Sequence, residues 1–140
     1  MGDRGLICFT TVGTYGKGKG KTFYSPGIYL HWRGAPEEVK ELLDKAAPRM
    51  RKSDPTYSAA RFCGVCHAEI PGNLGLGLFD LPEDRKLLLK KNWAKLADEY
   101  CCDNGIYFVD TDNGDVIQVP YGGKGKKLFT IDFPAKDSYE

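Results

Sequence analysis

The dipeptide Asn113-Gly114 stands between two strand-like runs, Ile106 to Asp110 and Val116 to Pro120. Asn-Gly is the strongest short-range hairpin signal, because both residues tolerate the positive φ of a tight reversal. The turn Asp112-Asn113-Gly114-Asp115 therefore commits this part of the chain to antiparallel pairing. Lys127 to Phe133 reads as one further strand, and Pro134 to Glu140 as a frayed tail.

Upstream, Leu6 to Val12 is rich in β-branched and aromatic residues and reads as a strand. A Gly/Lys loop, Gly13 to Lys21, can join it as a hairpin to a second strand, Gly27 to Trp32. Residues 36–47 read as a helix: Pro36 suits the first position, Glu37 and Glu38 complement the dipole, and Val39, Leu42, Leu43, Ala46 and Met50 keep helical spacing. Pro48 ends or kinks it. Asp54-Pro55 is a cap followed by proline and opens a second helix running to Ile70, with Ala59, Cys63, Cys66 and Ile70 on one face. Pro71-Gly72-Asn73 stops that helix. Leu74 to Phe79 reads as a short strand weakened by Gly75 and Gly77, and residues 83–99 as a third helix striped by Leu89, Trp93, Leu96 and Tyr100. Grouped strands and hairpins predict a single α+β domain over residues 1–133, with a largely antiparallel sheet and about three helices packed on one face.

At 140 residues, 41% hydrophobic and 28% charged, the chain has the makings of an ordinary globular core. A net charge of +1 gives no global pull toward nucleic acid or membrane, so any basic surface is local. The first residues carry no apolar signal-peptide core, no apolar run reaches membrane-span length, and five cysteines is an odd count; the expectation is a cytoplasmic protein with free thiols.

Five constellations bear on function. Lys17, Lys19 and Lys21 lie in the first Gly/Lys loop, and Lys124 and Lys126 in a similar stretch from Tyr121 to Phe129; glycine-freed N–H groups and lysines suit an anion, and solvated hairpin tips are the plainer reading. The first loop misses phosphate-loop spacing by one residue and leads into no helix. Cys63 and Cys66, with Cys101 and Cys102, have the arithmetic of a zinc site, but a pair within a helix fits an apolar stripe better than a knuckle. Cys63 or Cys102 with His31 or His67 gives nucleophile–base pairs that no local signature supports. The cluster His31-Trp32-Arg33 combines a titratable ring, a stacking surface and a planar cation at a strand end; it either recognises a ligand or sets the fold. Asp103-Asn104-Gly105 reads as a turn, with Asp103 also able to orient a ligand.

The start Met1-Gly2-Asp3-Arg4, the block Gly27-Ile28-Tyr29-Leu30-His31-Trp32-Arg33-Gly34, the segment Ala60-Arg61-Phe62-Cys63-Gly64-Val65, and Cys102-Asp103-Asn104-Gly105-Ile106-Tyr107 occur in that order. Together they resemble a family of small, uncharacterised proteins carried by bacteriophages and other mobile elements. Ala35 replaces a second glycine usual after the His-Trp block, residues 80–99 look inserted, and Cys66 and Cys101 have no counterpart. The resemblance implies a phage accessory protein that counters a host defence by binding, as CRISPR inhibitors or nucleotide-signal sponges do. Its expected partner is a host protein or complex, or a small nucleotide, with no cofactor, no membrane, and self-association open. Candidate contacts are Arg4, His31, Trp32, Arg33, Arg61, Asp103, Asn104 and the loop lysines. A small hydrolase using His31, Cys102 or Asp103, and a zinc-stabilised interaction module, are the alternatives.

Overall fold

The structure is a computed structural model and describes residues 3–12, 22–69, 75–79, 103–120 and 125–134. The elements, in chain order, are β1 (Gly5–Val12), β2 (Thr22–Tyr24), β3 (Gly27–Leu30), α1 (Pro36–Ala46), a 3-10 turn (Ala47–Arg49), α2 (Pro55–Glu69), β4 (Leu76–Phe79), β5 (Ile106–Asp110), β6 (Asp115–Val119) and β7 (Lys126–Thr130).

The seven strands form one mixed sheet in the order β4-β3-β1-β5-β6-β7, with β2 also pairing β1. Five ladders are antiparallel, as the hairpin signals predict. The one between β1 and β5 is parallel and sits at the centre, pairing Leu6 with Ile106 and Thr10 with Asp110. The α+β class stands, with two helices among the described residues rather than about three; the third, over 83–99, lies outside them.

Proline at the first position and two glutamates in the first turn start α1, whose Val39, Leu42, Leu43 and Ala46 are buried. Asp54 caps α2 as predicted: its Oδ1 accepts the Tyr57 N–H at 3.1 Å. Of the anticipated apolar face, Ala59 and Cys66 are buried and Cys63 is half-buried; Ile70 lies outside the described residues. The core residue of α2 is Phe62, which meets Phe9 edge-on at 5.7 Å. Both helices pack on the sheet face that carries Ile7, Phe9, Ile28, Leu30, Tyr107 and Val109. The opposite face is buried too: Leu6, Cys8, Ile106 and Val119 have no exposed surface.

Two local features depart from expectation. The strand begun at Gly27 ends at Leu30, two residues before Trp32. A further strand, β2, precedes it; β2 and β3 run along the same side of β1, interrupted at Ser25-Pro26. There Ser25 bridges the gap: its N–H donates to Phe9 O at 2.8 Å, and its Oγ accepts the Phe9 N–H at 3.0 Å. Pro26, lacking an N–H, stands exposed. No helix among the described residues is long and apolar enough to cross a membrane.

Candidate functional site at one end of the sheet

Segments far apart in sequence meet where β1, β3 and β5 share an end. The arm Asp3-Arg4 precedes β1, the turn His31–Gly34 follows β3, and Asp103–Gly105 precedes β5. Backbone hydrogen bonds lace them. Asp3 N–H donates to His31 O and Gly34 N–H to Asp3 O, both at 2.8 Å, while Asn104 N–H donates to Arg4 O at 2.9 Å and His31 N–H to Gly75 O at 2.7 Å. Buried Tyr107 donates its hydroxyl to Gly34 O at 2.6 Å. Gly34 is glycine by necessity: a Cβ there would lie 2.5 Å from Gly5 N and 2.6 Å from Asp3 O.

Arg4 and Asp103 form a fork. Nε donates to Oδ2 at 3.2 Å, Nη2 to Oδ1 at 3.1 Å, and the Arg4 backbone N–H adds a third bond to Oδ2 at 3.0 Å. The Arg4 side chain, then its N–H, holds the Asp103 carboxyl below its ordinary pKa. Asn104 Nδ2 donates to Asp3 Oδ1 at 2.8 Å and to Arg4 O at 2.9 Å.

His31 is half-buried, with Nδ1 at 2.7 Å from the Tyr29 hydroxyl. Trp32 stands edge-on to it at 5.0 Å and keeps 48% of its surface exposed. The alternation that would bury Trp32 does not apply beyond the strand end. Arg33 occupies the left-handed region (φ 63°), a conformation that strains a non-glycine residue. Its side chain turns to α1, where Nε lies 3.7 Å from Glu38 and Nη2 3.3 Å from Glu41.

The structure thus gathers Arg4, His31, Trp32, Asp103 and Asn104. It sends Arg33 to α1 and places Arg61 on α2, stacked on Tyr57 with its guanidinium 4.6 Å from the ring centroid. Lys126 starts β7 and is exposed. Lys17, Lys19, Lys21, Lys124, Cys101 and Cys102 lie outside the described residues. Sequence reasoning missed Asp3, Gly75, Tyr107 and Gln118, whose Nε2 donates to Asn104 O at 2.9 Å. The one available signal was a tyrosine inside the apolar run Ile106 to Val109, since a buried hydroxyl requires a partner.

Chemically the end is a clamp. Its charged groups pair with one another, Arg4 with Asp103 and Arg33 with Glu38 and Glu41. Burial pushes the Cys8 and Cys66 thiols up to about 12 and raises Cys63 as well, so these sulfurs stay protonated at neutral pH. Among the described residues, no group of three or more His, Cys, Asp or Glu side chains is placed to hold a metal ion. No known family model matches the sequence, and comparisons with curated proteins and with solved structures return no match.

Proposed function

We propose that this chain is a small phage accessory protein that acts by binding, blocking a component of a host defence system through a protein surface rather than by turnover. The observation that carries the reading is Trp32: nearly half exposed, on a turn pinned by backbone bonds to the N-terminal arm and to Gly75. A large aromatic presented on a rigid platform binds at low entropic cost and is the commonest kind of interface anchor. A protein partner suits it better than a nucleotide, because Arg4 and Arg33 already have carboxylate partners. Hydrolysis is the weaker reading, since His31 Nδ1 is engaged by Tyr29 and Asp103 by Arg4.

The test is plaque formation by a restricted phage on bacteria that carry a CRISPR or nucleotide-signalling defence and express the chain. Restored plaquing is expected, and Trp32→Ala should abolish it while the purified variant keeps its melting temperature. Calorimetry against cyclic and linear nucleotides should be silent. Plaquing unaffected by Trp32→Ala, or substrate turnover abolished by His31→Ala, would overturn the proposal.

A further inference from the structure

A cleft of about 450 Å³ opens between the exposed side of α2 and the end of α1 with its 3-10 turn. Its floor is Ala60, Gly64 and Ala68, spaced four residues apart and all exposed. Eight residues of helix make this floor about 12 Å long, two turns. Gly64 is the telling member. Glycine is the poorest helix former after proline, and the fold gains nothing from it here, because a Cβ at Gly64 would meet no atom within 4 Å. The missing side chain only deepens the cleft.

The rim is charged, and unevenly. Lys45 lies 3.1 Å from Glu69 and 3.4 Å from Glu41, so the acidic end is neutralised within the chain. Among the described residues, Arg49 and Arg61 remain as surplus positive charge along the same cleft. Arg61 is held in place, donating a hydrogen bond to the Tyr57 hydroxyl and stacking on its ring; Arg51 stacks on the same ring at 4.4 Å. An arginine already fixed loses less freedom on pairing with a carboxylate.

We infer that this cleft docks an acidic amphipathic helix of the partner protein, its small-residue face on Ala60, Gly64 and Ala68 and its carboxylates against Arg49 and Arg61. This rests on the reading of the chain as a protein binder. A nucleic-acid backbone fits less well: it would lay phosphates over the apolar floor of Ala60, Gly64 and Ala68.

The experiment uses a fluorescein-labelled helical peptide of Glu, Ala and Leu, with the glutamates on one stripe, and a counterpart with Lys in place of Glu. Fluorescence anisotropy should show saturable binding of the acidic peptide alone. Arg49→Glu with Arg61→Glu should weaken it at least tenfold, and so should Gly64→Leu, which fills the floor from a position whose Cβ meets no atom within 4 Å. Melting curves establish that both variants fold. Binding that survives Gly64→Leu would overturn the inference, as would a single-stranded oligonucleotide that outcompetes the peptide, or self-association of the chain that Gly64→Leu abolishes. Trp32→Ala should keep full peptide binding whatever the plaque assay returns, so the two proposals fail separately.

Discussion

At the scale of the residue, the sheet end shows how charge is used to close a structure. In the folded chain the Asp103 carboxyl is held below the ordinary value of 3.8 by the hydrogen bonds from Arg4. A depressed folded pKa stabilises at every pH above the unfolded value, and the contribution is lost as pH falls through the folded one. Wild type should therefore be more stable than Asp103→Asn near neutrality, with the gap closing below about pH 4. Urea midpoints at neutral and acid pH check this; a gap of constant size would remove the charge from the account. This pairing could not be read from the sequence. Arg4 and Asp103 are 99 residues apart, and either residue alone is an ordinary turn or terminal charge. The strand that starts at Gly27 was readable, but its end was not: it stops at Leu30, two residues short of the expected Trp32. Nor was the face each side chain takes, since Arg33 leaves the strand geometry that alternation assumes.

At the scale of the element, local signals did well where one or two residues decide the outcome. Pro36 and Asp54-Pro55 placed the starts of both helices, and Asn113-Gly114 placed the hairpin. The break between β2 and β3 escaped because it depends on what Ser25 does for Phe9 across the ladder. Two glycines make an instructive contrast. Gly105 has φ +71°, and a Cβ there would stand 2.1 Å from Val119 O. Gly105→Ala should cost about 2 kcal/mol or more from the left-handed conformation and the clash. Gly64→Ala, in an open helical position, should instead raise stability by about 1 kcal/mol. Urea denaturation of the two variants tests the pair, and equal signs would contradict the account.

At the scale of the whole molecule, the apolar runs Leu6 to Phe9 and Ile106 to Val109 are continuous rather than alternating. That is the mark of strands buried on both faces, commonest in parallel pairs, and these two runs form the parallel ladder. Composition carried that information; the partner of each strand did not follow from it, because pairing is decided by packing between distant segments. Amide protection should follow the same layout. The amides of β1 and β5 should exchange only on global unfolding, and those of the exposed edge strand β7 much sooner. Hydrogen exchange read by mass spectrometry decides it, and equal protection across β1 and β7 would count against a core centred on the parallel pair.

The same ladder sets a condition on folding. Leu6 pairs with Ile106 across 100 residues, so the centre of the sheet is a contact of very long range. Such contacts repay the entropy of loop closure only at the end of the search, which slows folding. During synthesis β1 emerges first and waits, with its β5 side unpaired, until residue 110 has left the ribosome. Among the described residues, the strands made in that interval that pair with β1 are β2 and β3, and they lie along its other side. The nascent chain thus carries a half-built sheet with one open apolar edge, and its yield in a cell depends on how quickly that edge is closed.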